Sequence, residues 1–418
     1  MAPEAQWDEV ALYDVAEYIN GRATKPSERT TDGVPVVKIA ELTRGITERT
    51  DRVPRSAVLK RHWISSGNLL FAWSGSVGVY RYHGPDAALN QHIFRVEAAA
   101  GFDDRYVEYL LISQLPRFEA VVADKRTTMG HVTVRDLKTM HVRVPPLGEQ
   151  RHIASHLASL DDKIELHQRM NRVLEKMARA IFKAWFIDFE PVKAKAEGAT
   201  SFPGMPQDVF DQLPDRLVES DLGQVPQEWP VQTVSDIADY INGKAFTKHA
   251  NGQGRMIIRI AELNSAPGGA TKYTNVETEP EYTAFPDDIL FAWSGSLDVY
   301  RWHRDEAIIN QHIFKVVPKD YPKWYVYYRL VEAMPFFQSI ASTKATTMGH
   351  IKRGHLSDAL FAAPPNWLVE AAEDQIRPLY DLVHCNERET FALANTRDTL
   401  LPKLISGELR LAGGCSDE

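Results

Sequence analysis

Apolar side chains recur at alternating intervals of four and three residues over 153–185. This spacing places one apolar stripe along a helix and is typical of a coiled-coil seam, here about four heptads long. Two polar residues, His167 and Asn171, interrupt the stripe near its centre. A buried polar residue at a seam position lowers stability but fixes register and orientation. The predicted seam comprises Ile153, Leu157, Leu160, Ile164, Leu174 and Ile181, with Ala178 and Trp185 at the same spacing.

A second stripe of the same kind, less regular, lies near the end of the chain and is also interrupted by polar residues, Asn386 and Thr390. Each helix could pack on its own domain, or the two helices could pack on each other. Their equal length and equal position favour an antiparallel pair, and a helix of about 37 residues would extend roughly 55 Å. The apolar members of this second seam are Ile376, Leu379, Val383, Leu393, Leu400 and Leu404.

The whole chain is an internal duplication. Residues 71–96 and 291–316 are identical at 17 of 26 positions. Four short motifs flank this block, and each occurs once in either half: Tyr-Ile-Asn-Gly, Ile-Ala-Glu-Leu, Thr-Thr-Met-Gly-His and Pro-Pro. The offset between matching residues of the two halves drifts only from 222 to 219. The two halves are therefore expected to share one fold with small loop insertions and deletions.

Short apolar runs bounded by turn residues precede each predicted long helix. The runs ending in "LFAWSG", the "HIFRV" and "HIFKV" runs, and "MHVRVPP" predict strands, whereas 104–122 and 323–341 read as helical. Each half is thus predicted to be an α+β domain with a mixed, strongly twisted sheet. Together with the two antiparallel coiled-coil helices, the duplication predicts a pseudo-two-fold molecule that resembles a C2 dimer written in one chain.

The segment 188–228 is rich in proline, glycine and acidic residues and is expected to be an irregular connector with one short helix around 207–213. The predicted organisation is a first globular domain at 1–148, a long helix at 149–187, the connector at 188–228, a second globular domain at 229–368, a distal long helix at 369–411 and a tail at 412–418.

Composition narrows the class of protein. The chain is 44% hydrophobic and 25% charged, which is ordinary for a globular protein, and a length of 418 residues suits two or three domains. A net charge of −8 argues against coating nucleic acid by bulk charge but leaves room for a local basic surface. We expect no membrane span and no signal peptide. Only two cysteines, Cys385 and Cys415, are present, which fits a cytoplasmic protein without disulfides.

Enzymatic motifs are missing from the sequence. It contains no phosphate-binding loop of the Walker type, no G-x-G-x-x-G and no H-E-x-x-H. Residues 74–78 lack the first glycine of a nucleophile elbow, and Asp298 replaces the last glycine in the second copy. The "PPNW" tetrapeptide at 364–367 has the wrong order for the Asn-Pro-Pro-aromatic motif of amino-methyltransferases. We therefore predict no active site and no metal or cofactor on this chain.

Several motifs taken together give the chain a resemblance to the specificity subunits of Type I restriction-modification systems. They are "ILFAWSGS…NQHIFKV", the stretch from "TTMGHV" to "FEPV" at 127–192, and "LLPKLISGEL" at 400–409, and the resemblance covers roughly 7–411. It implies that the two α+β domains are target-recognition domains, each reading one half of a bipartite DNA site. It also implies that the long helices set the spacer and dock the partners.

The resemblance further implies a non-catalytic subunit whose partners are double-stranded DNA, two modification subunits and restriction motor-nuclease subunits. The modification subunits would methylate adenine at N6 with S-adenosylmethionine, and the motor-nuclease subunits would use ATP and Mg. The alternatives are a stand-alone DNA-binding or scaffold protein without enzymatic partners and, disfavoured by the missing motifs, a self-sufficient methyltransferase or nuclease.

Residues identical in both halves cannot explain how two domains read different sequences, so they are expected to form the frame or to contact phosphates. For Asn90, Gln91 and His92 a buried turn-bracing network competes with such a contact, and for the threonine loops a helix N-cap competes. The shared candidates, including basic residues beside the threonines, are Ser74, Ser76, Tyr80, Arg81, Lys125, Arg126, Thr127, Thr128, Ser294, Ser296, Tyr300, Arg301, Lys344, Thr346 and Thr347.

The loops that follow Tyr-Ile-Asn-Gly diverge between the halves and are basic in both. Arginine can donate a fork of hydrogen bonds to guanine, and asparagine can bond adenine in the major groove. A solvated surface loop is the competing interpretation. The candidate base readers are Arg22, Lys25, Arg29, Lys244, Lys248, Asn251 and Arg255. The basic helix face of Arg172, Lys176, Arg179 and Lys183 could face DNA or a modification subunit.

Overall fold

The computed structural model describes residues 7–124, 130–342 and 349–411. The chain forms two compact units. The first consists of the residues up to Lys163 together with those from Leu393 onward, and the second is Ile164–Ala392. Within the described ranges, no helix combines the length and the apolar character needed to cross a membrane.

The first unit contains an α+β domain, as predicted. Its strands are β1 (Asp8–Ala11), β2 (Ala16–Asn20), β3 (Val34–Val37), β4 (Arg52–Val53), β5 (Trp63–Ile64), β6 (Leu69–Ala72), β7 (Gly78–Arg81), β8 (Ala87–Leu89), β9 (Ile93–Ala98) and β10 (His141–Val144). Its helices are α1 (Ile39–Arg44), α2 (Asp104–Ser113), α3 (Leu115–Asp124), α4 (Val134–Thr139) and the beginning of the long helix α5 (Leu147–Phe186).

These strands form two four-stranded sheets rather than the single mixed sheet that we expected. The order β2-β9-β6-β7 is antiparallel throughout. The order β4-β3-β8-β5 is mixed, because β3 and β8 run parallel. A separate ribbon pairs β1 with β10. The predicted strands at "LFAWSG", "HIFRV" and "MHVRVPP" are confirmed as β6, β9 and β10.

The connector is more structured than the sequence indicated. It contains α6 (Glu190–Ala196), α7 (Gln207–Gln212), β11 (Leu217–Ser220) and β12 (Gly223–Pro226), the last two forming an antiparallel hairpin. The short helix predicted around 207–213 is confirmed as α7. The prediction of an irregular connector is wrong, because most of the segment forms helices and a hairpin. These elements are held in place by Phe189, Val192 and Phe210, which are buried in the main core of the second unit.

The second unit repeats the architecture of the first. Its strands are β13 (Val231–Thr233), β14 (Ala238–Asn242), β15 (Arg255–Ile258), β16 (Lys272–Thr274), β17 (Thr283–Ala284), β18 (Ile289–Ala292), β19 (Asp298–Arg301), β20 (Ala307–Ile309), β21 (Ile313–Pro318) and β22 (Leu360–Ala362). Its helices include α8 (Ile260–Asn264), α9 (Lys323–Ser342), most of α10 (Asn366–Ser406) and the part of α5 from Ile164 onward. The sheet orders β14-β21-β18-β19 and β16-β15-β20-β17 reproduce those of the first unit.

The repeated apolar word "LFA" is a strand buried on both faces. In β6, Leu69 and Phe71 face the large core beneath α2 and α3, whereas Leu70 and Ala72 face a smaller core against the other sheet. Successive side chains of a strand point to opposite faces, so a strand between two layers reads as an unbroken apolar run. Strand β18 divides its residues between two cores in the same way.

The helical segment at 104–122 is two helices in the first unit, α2 and α3, with a break at Gln114. The corresponding segment of the second unit is the single helix α9, which continues through Pro335. Pro116, at the equivalent position of the repeat, lies in the first turn of α3. N–H groups in the first turn have no partner within the helix, so proline is tolerated there. The prediction of helix is confirmed in both units.

The two long helices have 40 and 41 residues, close to the predicted length. They pack on each other in antiparallel fashion within each unit. In the first unit, Arg397 of α10 donates to Asp161 of α5 at 2.6 Å. In the second, Asn171 of α5 donates to the carbonyl of Val383 at 3.2 Å, and the His167 imidazole lies 3.7 Å from the Glu389 carboxylate. Residue numbers along α5 therefore decrease as those of their partners on α10 increase, which shows that the helices are antiparallel.

The predicted seam residues lie on the inner faces of these helices, although each helix also packs on the globular domain of its unit. Ile153 and Leu157 join Leu404 in the first core, and Ile376 joins the second. The buried members are Ile153, Leu157, Ile376, Val383 and Leu404. The half-buried members are Leu160, Ile164, Leu174, Ile181, Leu379, Leu393 and Leu400. Two of the predicted polar interruptions, His167 and Asn386, are also buried.

Candidate nucleic-acid interface

The repeated loop "WSGS" connects the two strands of an antiparallel hairpin in each domain, β6 to β7 in the first and β18 to β19 in the second. Gly75 and Gly295 both have a φ of 69°, a left-handed conformation that a glycine adopts without strain. The indole of Trp73 donates to Asn20 Oδ1 at 3.2 Å, and that of Trp293 donates to Asn242 Oδ1 at 2.8 Å. The shared words "YING" and "FAWSGS" are therefore joined at one edge of each domain.

The segment after each "TTMGH" reaches the same edge. The backbone N–H of Val132 donates to the carbonyl of Trp73 at 2.9 Å, and the N–H of Ile351 donates to that of Trp293 at 3.0 Å. Isolated bridges pair Ser74 with His131 and Ser294 with His350. Three motifs that lie far apart in the sequence are thus joined by hydrogen bonds in each domain, and we call this arrangement the frame.

The Asn-Gln-His turn contacts this frame, because the backbone N–H of each repeated tryptophan donates to the carbonyl of the turn's histidine. The Asn90 side-chain oxygen accepts from the N–H of His92 at 3.3 Å, and that of Asn310 accepts from Thr247 at 3.4 Å. Asn90 and Asn310 are both buried. Asn90 therefore braces its own turn, whereas Asn310 braces the loop that follows Gly243.

Two of the four shared serines cannot serve as predicted. Ser74 and Ser294 are buried, because their backbones are paired in the bridges to His131 and His350. Ser76 and Ser296, two residues later, are exposed and stay candidates for DNA contact.

The shared tyrosines are half-buried parts of the same surface. Tyr300 donates its hydroxyl to Asn264 Oδ1 at 2.7 Å, and burial raises its pKa to about 12. Burial also raises the pKa of Tyr80. Both residues are neutral phenols near pH 7, so a contact with DNA would be a neutral hydrogen bond or a stacking contact.

The prediction that Arg81 and Arg301 contact phosphates is wrong. Arg81 is paired with Glu108 and Asp104 of α2, at 2.6 Å in both cases. The Arg301 side chain is only 2% exposed and lies 3.2 Å from Glu387. Both guanidiniums are already paired with carboxylates of the chain and are largely buried, so neither is presented to an incoming phosphate.

The divergent loop of the first domain contains one exposed lysine between two paired arginines. Arg22 pairs with Glu28 at 3.0 Å, and Arg29 pairs with Asp51 at 3.2 Å. Lys25 is exposed, and no carboxylate among the described residues lies within ion-pair distance of it. Lys25 is therefore the most available charge of this loop.

The divergent loop of the second domain has a similar pattern. The Lys244 ammonium lies 3.8 Å from the centre of the Tyr282 ring, and Arg255 is paired with Glu306. Lys248 and Asn251 are exposed, although Asn251 accepts a hydrogen bond from the N–H of Gln253 at 3.0 Å. Over the ranges that the structure covers, Lys248 has no ion pair and is the counterpart of Lys25.

A basic site next to the first loop was missed by the sequence analysis. Lys60 and Arg61 are exposed on a short 3-10 helix, and Arg61 contacts His62. The pKa of His62 is lowered, first by burial and then by the charges of Arg61, Arg22 and Arg95. The three arginine charges indicate that the surface here is locally positive. The second domain has Pro280 and Glu281 in the places of Lys60 and Arg61. Divergence between the two copies was the signal that could have identified this site.

Seven of the predicted contact residues lie outside the described residues. They are Lys125, Arg126, Thr127, Thr128, Lys344, Thr346 and Thr347.

The basic face of α5 is only partly available. Arg179 pairs with Glu332 at 2.9 Å, and Lys183 pairs with Asp188. Arg172 and Lys176 are exposed. Among the described residues, no group of three His, Cys, Asp or Glu side chains is arranged to hold a metal ion.

Comparison with known proteins connects this geometry to one family. The model of the Type I restriction modification DNA specificity domain matches residues 4–176 and 226–365. The Type I restriction enzyme MjaIX specificity subunit of Methanocaldococcus jannaschii is 23% identical over 432 residues, covering 97% of this chain and 94% of that protein. The HindI specificity subunit of Haemophilus influenzae is 21% identical over 351 residues, covering 72% and 76%.

A solved structure supports the fold. The crystal structure of a Type I restriction-modification system S subunit from M. genitalium aligns with a TM-score of 0.54 at 14% sequence identity and covers 97% of both chains. The likeness at this identity concerns the fold alone.

Proposed function

The chain belongs to the family of Type I restriction modification DNA specificity domains, and we propose that each of its two α+β domains reads one half of a bipartite DNA site. One observation carries this proposal. The same frame, Trp73 with Asn20 and Trp293 with Asn242, presents loops that differ in sequence and are basic in both domains. A constant frame with variable polar loops suits two readers of different sequences.

The chain is proposed to recognise DNA without catalysing a reaction. Modification subunits would supply adenine-N6 methylation with S-adenosylmethionine, and restriction subunits would supply ATP- and Mg-dependent cleavage. Two modification subunits, one for each domain, suit a duplicated chain. The cytoplasm, where DNA and these partners meet, is the compartment that the proposal requires.

An exposed apolar stripe on α5 is the proposed docking surface for the modification subunits. Leu166, Val173 and Met177 are 55%, 57% and 49% exposed, and the half-buried Met170 continues the stripe. Their spacing of four, three and four residues is that of a coiled-coil seam, on a face other than the buried one. An amphipathic helix of a partner would cover this stripe and remove its apolar surface from water.

The paired helices would also fix the spacer between the half-sites. Two readers in opposite orientation meet half-sites on one face of the duplex, about one helical turn apart or a multiple of it. A stiff helix pair holds such a distance better than a flexible linker does. The two-fold relation between the domains stays a prediction.

Methylation sequencing of the source genome tests the proposal. We expect one bipartite motif, methylated at adenine, that disappears when this gene is deleted. Replacing 22–29 or 244–255 should then alter one half-site and leave the other half-site and the spacer unchanged. If deletion leaves every methylated motif intact, the chain is not the reader of such a system.

Affinity purification separates this function from that of a stand-alone DNA-binding or scaffold protein. Methyltransferase subunits should co-purify with a tagged chain at native expression. Specific DNA binding without any co-purifying methyltransferase would favour the stand-alone protein instead.

A further inference from the structure

Arg81 and Arg301 occupy the same position of the repeat but have different partners. Arg81 donates to Glu108 Oε2 at 2.6 Å and to Asp104 Oδ2 at 2.6 Å, both on α2 of its own domain. Arg301 instead donates to the carbonyl of Tyr380 at 2.6 Å, in the middle of the long helix α10.

The surroundings of Arg301 include both long helices. Its Nη2 lies 3.2 Å from Glu387 of α10 and 3.9 Å from Glu175 of α5. The guanidinium carbon stands 4.1 Å from the centre of the Tyr380 ring. One side chain at the end of β19 therefore connects the second domain to α5 and α10 together.

The sequence explains why the two arginines differ. In this segment the two halves are related by an offset of 219, and the partners of Arg81 correspond to residues of α9 that carry no negative charge. Asp104 is replaced by Lys323, and Glu108 is replaced by Tyr327. Lys323 itself pairs with Asp287 at 2.8 Å. Arg301 has thus lost its acidic partners within the domain, and the helices supply carboxylates in their place.

Neighbouring residues strengthen the attachment. Tyr328 donates to Glu175 Oε2 at 3.3 Å, so α9 holds the α5 carboxylate that faces Arg301. Arg329, the next residue, donates to the carbonyl of Phe186 at 3.1 Å, at the last residue of α5. A cation at a helix C-terminus is favoured by the helix dipole. The first domain has Leu110 at the position of Arg329.

We propose that Arg301 is a positioning residue that fixes the second domain on the paired helices and thereby restricts the spacer length that the complex accepts. Arg81, its counterpart, stabilises the first domain internally and has no such role. The inference rests on the proposed function, since it concerns the distance between two half-sites.

Hydrogen exchange on the full chain tests the attachment without reference to DNA. R301Q leaves Glu387 and Glu175 without their cation, so we expect faster amide exchange in 376–392 of α10. R81Q, the matched control, should accelerate exchange in 104–113 of α2 and leave α10 unchanged. Unchanged exchange of α10 in R301Q would overturn the inference, whatever the chain does with DNA.

Methylation by the reconstituted complex tests the consequence. The readout is the ratio of rates on the native site and on a site whose spacer is one base pair longer or shorter. We expect R301Q to lower this ratio about tenfold, within the range of coupling between contacting groups, and R81Q to leave it unchanged. R301K, which restores the charge but not the fork, should restore part of the ratio.

The outcomes separate the two proposals. Equal loss of rate at every spacer length in R301Q would show a structural role only and overturn the positioning role. A wild-type complex that methylates no bipartite site would contradict the proposed function, while the exchange experiment would still decide whether Arg301 attaches the domain to the helices.

Discussion

The side-chain amide of Asn386 donates a hydrogen bond to Asn171 Oδ1, 2.8 Å away, between the long helices of the second unit. Asn171 in turn donates to the carbonyl of Val383 at 3.2 Å. Asn386 is 4% exposed, so this polar pair sits inside a seam whose members are mostly apolar. Any other register of the two helices would place one of these amides against apolar side chains, and the pair therefore specifies the register.

Replacing one member of this pair should cost more than replacing both. N171L leaves the buried Asn386 amide without its partner, and N386L removes one of the two hydrogen bonds of the half-buried Asn171. Each change should lower the free energy of unfolding by about 1–3 kcal/mol. The double variant should lose less than the sum of the single losses. Equilibrium denaturation of the full chain measures each value. Asn395, exposed on α10, provides the control, and N395L should change stability by no more than about 0.5 kcal/mol. Additive losses in the double variant would contradict the coupling.

The stability of the protein should depend on His303 in mildly acidic solution. Burial, and then the charge of Arg304, lower the pKa of this imidazole to about 4. The unfolded chain binds a proton near the ordinary pKa of about 6.5, whereas the folded chain does not. The contribution of His303 is therefore fully present above about pH 6.5 and is lost as the pH falls towards about 4.

The difference in unfolding free energy between wild type and H303Q measures this contribution, and it should decrease as the pH is lowered through that window. His83 occupies the same position of the repeat but is exposed. H83Q removes an imidazole from the equivalent, exposed position and is therefore the matched control for the substitution itself. A wild-type-minus-H303Q difference without slope would show that His303 titrates normally.

Lys25 and Lys248 should contribute to DNA affinity through phosphate contacts. Each is exposed in its loop and lacks an ion pair within the described part of the chain. K25Q or K248Q should weaken binding and reduce the slope of log K against log salt by about 0.9, the value for one phosphate contact. Fluorescence anisotropy at several salt concentrations measures the slope. K403Q removes the same charge from an exposed position of α10 and should leave the slope unchanged. Equal effects of all three variants would indicate bulk charge only.

The apolar stripe of α5 should be needed for assembly. V173D or M177D places a charge where a partner helix would pack, so co-purification of the modification subunit should be lost. Q168D puts the same charge on an exposed position of α5 outside the stripe and should not affect assembly. Thermal unfolding of the free chain should be almost unchanged in all three, because these side chains are already in water. Normal assembly of V173D would exclude this face.

The repeat and the heptads were enough to predict the architecture. Both report on apolar spacing, which burial determines directly, and so the antiparallel helices and the two α+β domains were predictable. The division into two sheets was not, because the run from Leu69 to Ala72 looks the same whether a strand lies in one buried sheet or between two layers.

The contact residues were harder to predict, because identity between the halves says nothing about partners. Arg81 and Arg301 are identical and share a backbone position, but the residues that face them, Glu108 and Tyr327, have diverged. The missed pair Lys60 and Arg61 shows the converse, since its counterparts, Pro280 and Glu281, carry no positive charge. Comparing the neighbours of each repeated residue, and not only the residue, was the step that the sequence would have allowed.

The buried connector changes which piece of this chain could be transplanted. Phe189 packs edge-to-face on Trp229, with 5.4 Å between ring centroids, and Val192, Phe210 and Val225 share the same core. A chimera joined at 228, the end of the connector, would divide that core between the two parents. The part that carries a second recognition sequence from one protein to another therefore begins inside α5, ahead of Ala178, and ends inside α10, after Tyr380 and before Leu400. The end of α10 belongs to the first core, so only a segment exchanged between these two limits should keep both cores whole.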